Sequence, residues 1–169
     1  MNAQTILLVV LRLLHIVSAV SWLALGGTLT FFVAPAAAAA GESGYKYLKT
    51  LFTRTAFTRL VPVAAGTTTL AGILLYIVGG GRFGPIGSAV LGIGALAGFI
   101  ATVHGGAVTD RSTKALAKAL TALPDGNQSI PAATLTELNN LATTLLSNAR
   151  ISLALMIVAL VCMGSARYL

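Results

Sequence analysis

Apolar residues run along this chain in four long stretches, separated by segments that carry most of the charge. The stretches cover about residues 5–34, 59–79, 86–108 and 150–167, and none of them contains aspartate or glutamate. A helix needs about 20 apolar residues to cross about 30 Å of hydrocarbon. The pattern therefore predicts an all-α polytopic membrane protein, with four spans that form one membrane domain over residues 1–169.

The connection at residues 42–58 has helical periodicity, with apolar and basic side chains on opposite faces. The apolar side chains are Tyr45, Leu48 and Phe52, and the basic ones are Lys46, Lys49 and Arg54. Two interpretations stay open from the sequence. One is an amphipathic helix lying on an anionic leaflet, and the other is a cytoplasmic extension of the second span.

The connection at residues 109–149 predicts a helical hairpin that protrudes from the membrane. Its first half continues the third span with helix formers, and Pro124-Asp125-Gly126-Asn127 is a turn sequence. Pro131 then stands near a helix start, with Glu137 in the early turns. Leucines on both halves form facing stripes; these are Leu116, Leu120 and Leu123, then Leu135, Leu138, Leu141 and Leu145.

Lysine and arginine are distributed unequally between the two sides of the predicted bundle. The side of the N-terminus holds three, Arg12, Arg82 and Arg167. The other side holds eight, Lys46, Lys49, Arg54, Arg59, Arg111, Lys114, Lys118 and Arg150. Since basic loops stay in the cytoplasm, both termini should lie outside, with residues 36–58 and 109–149 cytoplasmic, in a bacterial inner membrane.

Composition supports this class of protein. The chain is 56% hydrophobic and only 9% charged, against roughly 25% charged residues in a soluble domain. The net charge of +7 is explained by the basic loops, so no nucleic-acid partner is predicted. The single Cys162 excludes an internal disulfide and a cysteine zinc site. The expected partners are lipid, and other membrane subunits or further copies of the chain.

Arg12 and His15 are the unusual residues of the first span, because ionisable groups in hydrocarbon are costly. They share one helix face, which continues through Ala19, Trp22 and Gly26. A structural interpretation lets Arg12 extend its guanidinium to the headgroups, while His15 hydrogen-bonds a carbonyl or hydroxyl such as that of Thr67 or Thr68. Quinone or proton handling is a further alternative.

The first span resembles the first helix of small four-helix bacterial membrane proteins, the CopD-like and HemJ-like proteins. The matching residues are Leu14-His15, Ser18, Ala19, Trp22, Gly26-Gly27 and Pro35. The second span, "TRLVPVAAGTTTLAGILLY", and the end of the third, "VHGGAVTDR", are similar to the same group. Only a few residues in each helix carry this resemblance.

This resemblance implies a b-type haem or related tetrapyrrole with His15 as ligand to the iron, in redox or haem metabolism. Arg12 would then lie near a propionate, and Trp22 with its small neighbours would line the site. His104 is a weaker candidate ligand. At about 1.5 Å per residue, His104 should lie roughly 12 Å deeper than His15, which disfavours one iron held by both imidazoles.

Other functions remain alternatives. All-round apolar spans with glycine and threonine faces suit a non-catalytic accessory subunit of a larger membrane complex. A small transporter would be expected to have intramembrane acids or inverted repeats, and a copper site needs more Met, Cys or His than the chain has. No catalytic residue or reaction is identified from the sequence.

Overall fold

The computed structural model describes residues 2–79, 84–124 and 128–169. Within these ranges all regular secondary structure is helical, which confirms the all-α prediction. The α-helices are α1 (Ala3–Thr28), α2 (Ala34–Ala39), α3 (Glu42–Arg54), α4 (Phe57–Gly79), α5 (Pro85–His104), α6 (Asp110–Thr121) and α7 (Ala132–Ser165). Two π-helical segments, Leu29–Val33 and Gly105–Thr109, and a 3₁₀ turn at Ala166–Tyr168 complete the fold.

The first helix does not end near Pro35, where the sequence placed the end of the span. The π segment Leu29–Val33 joins α1 to α2, so that one continuous helix reaches Ala39. In the π segment the N–H of Ala34 bonds the carbonyl of Leu29. Because Pro35 has no N–H to give to the preceding turn, this wider turn lets the helix pass the proline.

The chain reverses direction between α2 and α3. Gly41 has φ of 60°, a left-handed conformation that other residues rarely adopt. Gly44 in the first turn of α3 then lies directly against the backbone of Ala37. A residue without a side chain is required there, since α2 and α3 cross with backbones in contact.

In the part of the chain that the structure describes, four helices are long enough and apolar enough to cross a membrane: Ala3–Ala39, Phe57–Gly79, Pro85–Thr121 and Ala132–Tyr168. They pack as two extensive pairs, α1 with α4 and α5 with α7, with much less contact between the pairs. Gly94 of α5 lets α5 and α7 approach each other closely, because a Cβ on Gly94 would lie only 2.9 Å from the Cβ of Cys162. Arg82 and residues 125–127 of the predicted hairpin turn lie outside the described residues.

Exposed apolar side chains divide the molecule into two halves. Large exposed apolar residues occur from Ile6 to Phe32, from Leu60 to Val108 and from Ile151 onward. In the described segments between these ranges, Tyr47 is the only one. A surface that is apolar all round suits lipid, whereas the other half has the buried apolar and exposed polar positions of a protein in water.

The other half consists of α2, α3, α6 and the first half of α7, and we call it the water-type half. These helices form a core of their own. Tyr45, Leu48 and Phe52 of α3 are at most 5% exposed, and they pack with leucines of α6 and α7. The apolar face of α3 is therefore covered by protein and does not face a leaflet. The hydroxyl of Tyr45 donates to Oδ1 of Asn139 at 2.5 Å, and burial raises the pKa of Tyr45.

Basic side chains of α3 fasten this helix to the polypeptide that precedes α7. The Lys46 ammonium donates to the carbonyl of Gln128 at 2.7 Å and pairs with Glu42 at 2.8 Å. Lys49 donates to the carbonyl of Leu123 at 2.6 Å. The pKa of Glu42 lies below its ordinary value. The main cause is the hydrogen bond that its carboxylate accepts from Lys46, and the second is the one that it accepts from the N–H of Ile130.

Candidate functional site

His15 lies on the inner face of α1, where it contacts α4. Its Nδ1 is 2.8 Å from the carbonyl oxygen of Thr68. A carbonyl can only accept a hydrogen bond, so Nδ1 carries the proton and Nε2 of the neutral ring carries the lone pair. One turn further along α1, Ser18 accepts a hydrogen bond of 2.9 Å from the hydroxyl of Thr68. Thr68 thus fixes both polar side chains of this face.

The Nε2 atom of His15 makes no hydrogen bond to any described residue. In the described part of the chain, the only side-chain nitrogen or oxygen atom that is both buried and unpartnered is Oγ1 of Thr30. Nε2 therefore retains contact with the surroundings of the protein. An imidazole held through Nδ1 by a carbonyl, with Nε2 open, is the arrangement that metal-ligating histidines usually have.

Gly72 allows the imidazole to lie against α4. A Cβ on Gly72 would lie 2.9 Å from Cε1 of His15 and 3.0 Å from Nδ1. The glycine is thus part of the site, because any larger residue there moves the ring.

We predict that Gly72→Ala displaces the His15 ring and lengthens its bond to Thr68. The ring cannot keep its place, since the new methyl group would overlap it. In NMR spectra of protein with ¹⁵N-labelled histidine, the His15 signals should shift and sample both tautomers. Gly66→Ala is the control, because nothing lies within 4 Å of a Cβ there. Unchanged His15 signals in Gly72→Ala would contradict this geometry.

Trp22 is buried between the long helices. It is 7% exposed and packs at the centre of the four long helices, among Ala64, Ala101, Leu153 and Met156. A Cβ on Gly105 would lie 3.8 Å from its ring. The indole therefore fills the space between the two helix pairs, two turns further along α1 than His15. There it contributes to the packing of the helices.

Arg12 lies one turn before His15 and is exposed. It forms no ion pair or hydrogen bond with the residues that the structure describes. It lies within the apolar-surfaced half, so its guanidinium is available to an external anion or to the headgroup region.

His104 lies on the other helix pair. Its Nδ1 is 2.9 Å from the hydroxyl of Ser152 on α7, and Thr109 lies 3.3 Å from the same hydroxyl. Because a serine hydroxyl both donates and accepts, this contact does not fix the tautomer of His104. His15 and His104 share no hydrogen-bond partner among the described residues.

The π segments are features of this region that the sequence reasoning missed. Thr30, in the first of them, is fully buried and its hydroxyl has no partner among the described residues. π-Helical turns are often found at functional positions. Pro35 five residues after Thr30 was the available signal, although a proline indicates a helix end as readily as a wide turn.

Comparisons with known proteins leave the resemblance to CopD-like and HemJ-like proteins as a prediction. No family model, no curated protein and no solved structure matches the chain. Within residues 2–79, 84–124 and 128–169, no three His, Cys, Asp or Glu side chains gather as a metal site. Among the described residues, His15 is thus an imidazole oriented through Nδ1 whose Nε2 has no hydrogen-bond partner.

Proposed function

We propose that the chain is an integral protein of a bacterial inner membrane, with both termini outside. The apolar exterior of the four long helices supports insertion. Exposed basic residues gather where this exterior ends, next to the water-type half; they are Arg54, Arg59, Arg111, Lys114 and Arg150. This distribution supports a cytoplasmic location of the α2, α3 and α6 region.

Within the membrane, we infer that His15 binds the iron of a b-type haem or the metal of a related tetrapyrrole through Nε2. The observation that carries this proposal is the hydrogen bond from Nδ1 to the carbonyl of Thr68, which leaves Nε2 without a described partner. Such a haem supplies one-electron redox chemistry. Thr68 holds the ring orientation, Gly72 lets the ring lie against α4, and Arg12 has the guanidinium geometry that binds carboxylates.

The absorption spectrum of the purified full-length protein tests this proposal. Wild-type protein should show a Soret band, and His15→Ala should lose most of it. His104→Ala is the matched control, because it also removes an imidazole from a long apolar helix, and it should retain the band. A colourless wild-type protein that also fails to take up added haemin would overturn the proposal, as would equal loss in both variants.

A second candidate function is that of a non-catalytic subunit of a larger membrane complex. Gly66 on α4 and Gly92 on α5 have open space where a side chain would be, so the backbone of another protein's helix can approach them. Purification from native membranes in mild detergent should then yield other proteins at fixed stoichiometry. Isolation as a free monomer under these conditions would count against it.

A further inference from the structure

We propose a binding site for one anionic phospholipid at the corner between α3 and α4. The proposal rests on the membrane insertion proposed above, and it is independent of haem binding. Its two parts are a polar cavity that would hold the phosphate and an apolar groove that would hold an acyl chain.

The polar cavity has a volume of about 340 Å³ and lies at the start of α4. Its lining residues are Phe52, Thr53, Arg54, Thr55, Ala56, Thr58 and Arg59. Hydrogen bonds fix this corner, since Thr55 accepts from the N–H of Phe57 at 3.2 Å and Thr58 donates to the carbonyl of Phe52 at 3.4 Å.

The charge of this cavity fits a phosphate group. Arg54 and Arg59 are exposed, and neither is ion-paired with a described residue. The carboxylates of Glu42 and Asp110 are each paired with a lysine one turn away on their own helix. The positive end of the α4 dipole adds to the two guanidinium groups. Two arginines that line one cavity, beside the start of a helix, supply guanidinium donors for a phosphate group.

The apolar groove is lined by α1 and by the part of α4 that follows the cavity in the sequence. It has a volume of about 700 Å³ and runs between α1 and α4, from Leu25 and Leu60 toward Val10. Ala56 lies one turn before Leu60 in the sequence, and Arg59 one turn before Val63, so the cavity and the groove lie on the same side of α4. Residues 10–25 span roughly 22 Å of helix, which is enough for an acyl chain within one leaflet.

The depth of the cavity also fits a headgroup. Leu60 is the first large exposed apolar residue of α4, and Phe32 is the last of the first long helix. Arg54 and Arg59 therefore lie at the level where the apolar exterior begins. A phospholipid places its phosphate at that level and its chains on the apolar side, which is the arrangement of the two cavities.

Native mass spectrometry of the full-length protein tests the phosphate end of the site. Delipidated protein is titrated with phosphatidylglycerol and, separately, with phosphatidylcholine of the same acyl chains. Wild-type protein should retain one phosphatidylglycerol in preference to phosphatidylcholine. The double variant Arg54→Gln/Arg59→Gln should weaken this binding by about tenfold. The control is Arg111→Gln/Arg150→Gln, which removes equal charge from the same level on the other helix pair and should change binding less than about twofold.

The groove is tested by filling it. Ser21→Phe places a ring in the groove and should weaken phosphatidylglycerol binding, whereas Ile16→Phe, outside the groove lining, should not. Equal losses in the two arginine variants, no preference for phosphatidylglycerol, or displacement of the lipid by inorganic phosphate alone would overturn the proposal. His15→Ala should retain the lipid, and extraction of the wild-type chain from membranes by alkaline carbonate would instead refute insertion.

Discussion

Replacing Gly44 by alanine should destabilise the water-type half of the molecule by about 3 kcal/mol or more, because overpacking against backbone leaves no side chain to yield. A Cβ on Gly44 would overlap the carbonyl oxygen and Cα of Ala37. The alanine therefore has to push α3 away from α2, and this separation loosens the shared core around Tyr45 and Leu48. The midpoint of thermal unfolding in detergent should fall strongly.

Ser43→Ala is the control for this change, since Ser43 is the exposed neighbour of Gly44 on the same helix turn. It should leave the midpoint nearly unchanged. Limited trypsin digestion gives a second readout, because Lys46 and Lys49 become accessible when α3 leaves the core. If Gly44→Ala unfolds at the temperature of Ser43→Ala and resists trypsin equally, the close crossing of α2 and α3 is wrong.

Trp22→Ala should also have a large effect, of about 3–5 kcal/mol, as expected for removal of a buried aromatic side chain. Trp22 fills the centre of the four long helices, and its indole contacts the core residues of α4, α5 and α7. Contact between the two helix pairs is limited. The cavity left behind should therefore weaken the association of one pair with the other more than it weakens the packing within each pair. A cysteine crosslink between α1 and α7, for which Gly26 and Leu153 are close, should form less efficiently.

Phe32→Ala is the matched control, since it removes an aromatic ring that is 70% exposed on the apolar exterior. It should change thermal stability and crosslinking little. Equal destabilisation by the two substitutions would show that Trp22 does not hold the pairs together. If Trp22→Ala loses a Soret band without losing stability, the result would instead indicate that Trp22 lines a cofactor site.

The four long helices could be predicted because a run of apolar residues without acids has few other stable solutions. The continuation of the first helix past Pro35 could not be predicted. It depends on a π turn whose energy depends on the packing of Leu29 and Thr30. The opposite apolar and basic faces of α3 could also be seen in the sequence. The surface that covers the apolar face of α3 could not be predicted, because the leucines that form this surface lie far away in the sequence.

The candidate site shows the same division. His15 was identified because an imidazole in an apolar span needs a partner, and Thr68 was one of two partners that the sequence suggested. That the partner is the backbone carbonyl, which fixes the tautomer, depends on the crossing of α1 and α4 at Gly72. The cavity at Arg54 and Arg59 escaped sequence reasoning, because it arises from the bend between α3 and α4.

The covered face of α3 has a consequence for the biogenesis of the protein. α3 is synthesised before α6 and α7, whose leucines later enclose Tyr45, Leu48 and Phe52. Until those helices have been synthesised, this apolar face has no partner from α6 or α7. The core around α3 is therefore completed only when α7, the last of the α-helices to be made, becomes available to pack against it.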